Sequence, residues 1–200
     1  MTRWVIATNN QHKVREIGAI LREFGIECVS MRDIGVRADP DETGATFVEN
    51  ALIKAFACFD ATGLPSIADD SGIVVDALDG APGMYSARYG GDGLTDAERT
   101  ALLLRNMETI PERERSARFV SAIACVLSRK RWLTVRGNCE GRVTYAPRGE
   151  GGFGYDSVFV PEGSDRTFAE LSPEEKNKIS HRAIALRELR VKLMELKILC

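Results

Sequence analysis

Trp4-Val5-Ile6-Ala7-Thr8-Asn9-Asn10-Gln11-His12-Lys13 is the stretch whose reading decides the fold. Its first four residues form a short apolar run suited to a buried strand, and the next six are polar. From there Val14, Ile17, Ile20, Leu21 and Phe24 recur at threes and fours, the period of a helix with one buried face, and Gly25 supplies the stop. Strand, polar turn and helix in that order predict an α/β fold. In such a unit the turn lies at the carboxyl end of the strand, where open α/β sheets bind ligands, and the following helix offers free N–H groups to an anion. Lys13 adds a cation. The stretch is not a Walker A loop, because the glycines and the Gly-Lys-Ser/Thr ending are absent. Thr8 or Asn10 also reads as a plain helix cap.

Outward from this unit, Ile26 to Ser30 has the makings of an edge strand, and Met31 to Ala45 is a polar loop carrying Asp39-Pro40-Asp41-Glu42-Thr43-Gly44. Thr46 with Glu49 predicts a capping box, opening a helix whose Ala51, Leu52, Ala55, Phe56 and Phe59 make an apolar stripe ended by Gly63 and Pro65. Lys54 lies outside that stripe and reads as a solvated helix lysine. Next comes Ile67-Ala68-Asp69-Asp70-Ser71-Gly72, a pair of acids that interrupts apolar strand material continuing as Ile73-Val74-Val75. Such a pair at a strand end is either a turn, since Asp, Ser and Gly are ordinary turn residues, or a seat for a hard cation such as magnesium. Buried unpaired, both charges would be costly, so a metal, a cationic partner or solvent has to meet them.

Further on, Asp79-Gly80-Ala81-Pro82-Gly83 and Gly90-Gly91-Asp92-Gly93 frame Tyr85-Ser86-Ala87-Arg88-Tyr89, a constrained loop. Thr95 and Glu98 form a second capping box, with Leu102, Leu103, Met107 and Ile110 as the buried side of a third helix. Strands are predicted over Ala117 to Leu127 and Trp132 to Arg136, linked by Ser128-Arg129-Lys130-Arg131, with Arg142 to Tyr145 extending the sheet. Antiparallel pairs here beside strand–helix units earlier imply a mixed sheet. Gly149-Glu150-Gly151-Gly152-Phe153-Gly154-Tyr155-Asp156 allows close backbone approach to a ligand, with Phe153 and Tyr155 offering planar faces, and Ser157 to Val160 reads as a strand. Ser172-Pro173-Glu174-Glu175 starts the final helix, whose Ile179, Ala183, Leu186, Leu189, Leu193 and Leu196 make a stripe. On one ideal helix Lys176 and Ser180 share a face while Arg182 points away. Either only some of Lys176, Ser180, His181 and Arg182 touch a ligand, or the helix breaks near Ser180.

The chain has 200 residues, enough for one substantial core, and 27 Lys and Arg against 29 Asp and Glu, a net charge of −2. No global basic field invites nucleic acid or an anionic membrane, so phosphate recognition has to be local. Five scattered cysteines, Cys28, Cys58, Cys125, Cys139 and Cys200, without a CxxC pair and with only His12 and His181 beside them, argue against a disulfide framework and a zinc cluster. No apolar run approaches the length of a membrane span. A soluble, reduced, cytoplasmic protein is expected.

Taken together, Thr8-Asn9-Asn10-Gln11-His12-Lys13, Asp69-Asp70-Ser71-Gly72, Phe153-Gly154-Tyr155-Asp156 and Ser180-His181-Arg182 resemble the inosine triphosphate pyrophosphatase family, with Gly80-Ala81-Pro82-Gly83 and Glu174-Glu175-Lys176 between them. The resemblance covers essentially the whole chain and implies that residues 1–200 are a single nucleoside triphosphate pyrophosphatase domain. It implies a long mixed twisted sheet flanked by helices, two lobes around a nucleotide cleft, and a homodimer. The activity implied is magnesium-dependent hydrolysis of the α–β phosphoanhydride of inosine, deoxyinosine and xanthosine triphosphates, giving the monophosphate and pyrophosphate. Carried over by residue, it puts Thr8, Asn9, Asn10, Gln11, His12 and Lys13 on the triphosphate, Asp70 at the catalytic and metal position, Ser71 beside the substrate and Lys176 on phosphate. Phe153, Gly154, Tyr155, Asp156, His181 and Arg182 fall on the base pocket. The second metal acid is Asp41 or Glu42. His12 stands where the family often has Gly, and Ser157 where it often has Pro. Other readings of the same constellation are a Maf-like pyrophosphatase for modified pyrimidine or canonical triphosphates, and a nucleotide-binding regulator without turnover.

Overall fold

The computed structural model describes residues 3–199. Strand β1 (Trp4–Ile6) is buried along its whole length and lies between β2 (Cys28–Ser30) and β3 (Ser66–Val75), parallel to both. Its register pairs Val5 with Val29 and Ser66, and Ile6 with Ser30 and Ile67. With β4 (Ser116–Ser128), β5 (Arg131–Val143) and β6 (Phe159–Pro161) the six-stranded order is β2-β1-β3-β4-β5-β6, and β5 and β6 are antiparallel. The sheet is mixed, and β2 is an edge strand, as read from the sequence.

Two compact units share the chain. The first takes the residues up to Asp70, Ser121–Gly137 and those from His181 on; the second takes Ser71–Val120 and Asn138–Ser180. In the first, α1 (Gln11–Glu23) buries Ile17, Ile20 and Leu21 together with Ala185, Leu186 and Leu189 of α5 (His181–Glu195) on one side of the sheet. On a separate core, α2 (Phe47–Thr62) packs Ala51, Ala55 and Cys58 with Val5, Ala68, Ala122 and Ala124. The alternation along β3 explains the split: Ile67 joins the first cluster and Ala68 the second, because successive strand residues face opposite ways. In the second unit, α3 (Asp96–Asn106) contributes Leu103 to a core with Phe119, Phe159 and Phe168, whose rings stack and tilt against one another.

Both capping boxes foreseen at Thr46 and Thr95 form, as does the one at Ser172. Three local expectations are corrected. Asp69 and Asp70 do not interrupt two strands: β3 runs unbroken from Ser66 to Val75, because each acid has its own partners. β5 continues through Gly137 instead of stopping at Arg136. A Cβ at Gly137 would collide with the His181 carbonyl and the Ala185 backbone, so glycine here lets the strand pass against α5 rather than ending it. Ser157 and Val158 belong to a turn of 3-10 helix, and the strand begins at Phe159. Of the two alternatives open for the final helix, the break is the one observed: α4 (Pro173–Ile179) ends at Ser180, whose backbone is extended (ψ 155°), and α5 starts at His181. No helix among the described residues is long and apolar enough to cross a membrane.

Candidate active site

Because strand side chains alternate, Asp69 and Asp70 look to opposite faces of β3 and meet different cations. Asp69 is 1% exposed. Its Oδ2 accepts from Lys13 Nζ at 2.8 Å and from the Arg182 guanidinium at 3.1 Å, while its Oδ1 accepts from the Ser121 hydroxyl at 2.6 Å. Arg182, itself 1% exposed, gives its other terminal nitrogen to Glu16 of α1. Burial works against the Asp69 charge, yet Arg182 and Lys13 hold its carboxyl well below the ordinary carboxylate range. Asp69 is thus a spent anion that fixes Lys13 on α1 and Arg182 on α5.

Asp70 faces α2. Its Oδ1 accepts from Lys54 Nζ at 2.7 Å, and the same ammonium donates to Glu42 Oε1 at 2.9 Å. Burial pushes the Asp70 carboxyl up, with Lys54 opposing. For Lys54 burial acts to lower the ammonium, but Asp70 and Glu42 outweigh it and the net direction is up. Two carboxylate oxygens converging on one cation position form a donor set that fits magnesium, which takes one or two acids and completes its shell with waters and substrate phosphates. Of the two acids left open by the sequence, Glu42 shares a cation with Asp70, whereas Asp41 is exposed and meets the chain through its backbone carbonyl, which accepts from Thr43 N–H.

The polar turn after β1 forms the helix cap that one of its two readings requires. Asn10 caps α1: its Oδ1 accepts from the N–H groups of His12 at 2.9 Å and Lys13 at 3.2 Å. Thr8 accepts from Asn10 N–H through its hydroxyl, Asn9 reaches Asp39, and His12 pairs with Arg15. Asn9, Asn10, Gln11 and His12 are exposed, and Thr8 and Lys13 half-buried.

In the second unit the glycine-rich loop is organised by Asp156, which is 3% exposed. Its Oδ2 accepts from Phe153 N–H at 2.8 Å and from Lys176 Nζ at 2.5 Å, and that ammonium sits 4.9 Å from the Phe153 ring centroid. Lys176, assigned to phosphate by the resemblance, is buried and paired here with an acid beside an aromatic ring. Tyr155 is not an open planar face. It is 4% exposed, packs in the core, and donates its hydroxyl to the Ser86 carbonyl at 2.9 Å. Phe153 is half-buried, and Gly154 is bound by Asp96 through its N–H and by Thr100 through its carbonyl. Ser71 is half-buried, and His181 is 3% exposed at the start of α5.

The Ham1 family model matches residues 4–192. The chain belongs to the Ham1 family. Among its Ham1 relatives, a dITP/XTP pyrophosphatase of Mannheimia succiniciproducens is 51% identical over 195 residues, covering 94% of this chain and 96% of that protein. A dITP/XTP pyrophosphatase of Geobacillus kaustophilus is 49% identical over 189 residues, covering 94% and 93%. The solved structure of a Ham1 protein from Coxiella burnetii superposes with a TM-score of 0.86 at 43% identity over 98% of this chain and all of that one. Sequence reasoning missed three residues of the cluster, Lys54, Glu16 and Ser121, and the pairing of Arg182 with Asp69 and Glu16. Lys54 had a signal, since a lysine beside small residues Ala51 and Ala55 on a helix can lie flat along the core and still reach an acid. Ser121 had none, being one hydroxyl in an apolar strand.

Proposed function

We propose that this chain is a magnesium-dependent nucleoside triphosphate pyrophosphatase that converts inosine, deoxyinosine and xanthosine triphosphates to their monophosphates and pyrophosphate. One observation carries the reading: Glu42 and Asp70 converge on a single cation position. The names of the relatives support the substrate class. Glu42 and Asp70 would hold magnesium, which when bound supplies charge neutralisation on the phosphate oxygens and so favours attack on phosphorus. Asp70 orients the attacking water and takes its proton. Lys13, anchored on Asp69, presents its ammonium to the triphosphate, and the turn from Thr8 to His12 supplies further polar contacts. Arg182 works through Asp69, because both of its terminal nitrogens are committed to carboxylates.

On the base side we assign Phe153 as the stacking ring, with Lys176 and Asp156 fixing its loop. Inosine and xanthosine carry an acceptor oxygen at position 6 where adenosine carries an amino donor, so a donor from His181 or a backbone N–H favours the former. Adenosine would bring donor against donor, and an unpaired buried polar group is costly enough to discriminate strongly. The family match across residues 4–192, through both units, supports a single catalytic domain. Homodimerisation rests on the family resemblance, and a cytoplasmic place on the charge balance and the free thiols Cys28, Cys58, Cys125 and Cys139. The test is pyrophosphate release from inosine, xanthosine, adenosine and guanosine triphosphates, with and without magnesium. Release from the first two only, and only with magnesium, is expected. Equal turnover of adenosine and inosine triphosphates refutes the base account, and tight binding without release makes the chain a regulator.

A further inference from the structure

Chain connectivity does not bring Glu42 and Asp70 together; they belong to the loop before α2 and to β3. What joins them is the Lys54 ammonium, 2.9 Å from one and 2.7 Å from the other, on a side chain only 14% exposed. A monovalent cation therefore stands where two hard oxygen ligands point. Magnesium draws such oxygens in to about 2.0–2.1 Å, and an ammonium still bonded to the same two oxygens would face the ion at a few ångströms. Two cations that close repel, more strongly in a partly buried site than in water.

We propose that Lys54 is a tethered counter-cation: in the substrate-free protein it occupies the divalent-cation position between Glu42 and Asp70, and the ion displaces it on binding. The inference rests on the assignment of Glu42 and Asp70 as metal ligands. Lys54 keeps the two carboxylates converged while no ion is present, so the site needs no rebuilding when one arrives. It also weakens binding of the ion by itself, because the ligand set then carries one compensating positive charge. Once displaced, the ammonium is free for a phosphate oxygen of the incoming nucleotide, so ion and nucleotide favour each other's binding.

The test is manganese binding to the substrate-free full-length chain, read from the free-ion paramagnetic signal, for the wild type, Lys54→Met and Lys54→Arg. Lys54→Met is expected to bind the ion at least about tenfold more tightly than the wild type, since a nearby positive charge is gone. Lys54→Arg keeps the charge and stays near the wild type. Without ion, Lys54→Met melts at a lower temperature, and manganese raises its melting point by more than it raises the wild type's. Unchanged or weaker manganese binding by folded Lys54→Met overturns the proposal. A second measurement needs no variant: acetylation of Lys54 by a limiting amine reagent, followed by mass spectrometry, accelerates on saturation with manganese, and an unchanged rate also overturns it. Triphosphate turnover is read separately, so loss of the pyrophosphatase reading with tight Lys54→Met binding leaves the counter-cation standing.

Discussion

Asp69 and Asp70 are neighbours in sequence with unlike surroundings, and the difference is made by one residue of strand register. Asp69 is closed in by Lys13, Arg182 and Ser121, while Asp70 keeps a side chain 10% exposed and shares its cation with Glu42. The acid able to meet water is therefore Asp70. Asp70→Asn keeps the shape and removes the proposed proton acceptor, so kcat for inosine triphosphate is expected to fall by about 10²–10⁴-fold, the usual weight of a general base, in a steady-state pyrophosphate assay. Full activity in this variant would remove Asp70 from the mechanism. Gly72, in the same motif, shows how a correct residue can carry a wrong reason. As a turn glycine it would serve a positive φ; in β3 it serves close approach, because a Cβ would run into the Gly83 carbonyl and the Ser86 hydroxyl that accepts from Ile73 N–H.

Among the elements, helices were the most legible. Thr46, Thr95 and Ser172 announced their capping boxes because both halves of each box lie within four residues, so no tertiary information is needed. Arg115 was illegible for the opposite reason. In Glu112-Arg113-Glu114-Arg115 all four residues are charged, and only Arg115 is buried. Its guanidinium donates to the carbonyls of Met107 and Ile110 after α3 and of Val143 and Thr144 at the end of β5, and it lies 4.3 Å from the Tyr145 ring centroid. It ties the end of α3 to the sheet without an acid partner among the described residues. Arg115→Met fills similar space but strands those carbonyls, and is expected to lower unfolding free energy by about 3 kcal/mol, measured by urea unfolding followed by circular dichroism.

Across the whole molecule the thiols report the cores. Cys58 in the α2 core is fully buried, and burial pushes its thiol from 9.0 up to about 11; Cys139, in the second unit, goes up to about 12. A thiol raised in the folded state holds its proton there more tightly than in the unfolded chain. Its stabilising contribution is complete below the unfolded value of about 9 and is lost as pH rises towards the folded one. The urea midpoint is expected to fall between pH 9 and 11, and Cys58→Ser to flatten that fall. Cys200 lies outside the described residues.

The sequence by itself determined the α/β class, the capped starts of α2, α3 and α4, the edge strand β2 and most of the acids and aromatics that are candidates for the chemistry. These are properties of local periodicity, local hydrogen bonding and residue type, and the motif order carried the family. Tertiary structure decided the pairings: which acid of Asp69 and Asp70 is spent, which of Asp41 and Glu42 joins Asp70, and that Lys54 is the cation between them. It also buried Tyr155, whose hydroxyl donates to the Ser86 carbonyl, and paired Arg182 with Asp69 and Glu16. Each of those outcomes depends on two groups from different segments arriving within about 3 Å, the reach of a hydrogen bond, and residue spacing along a chain carries no such distance.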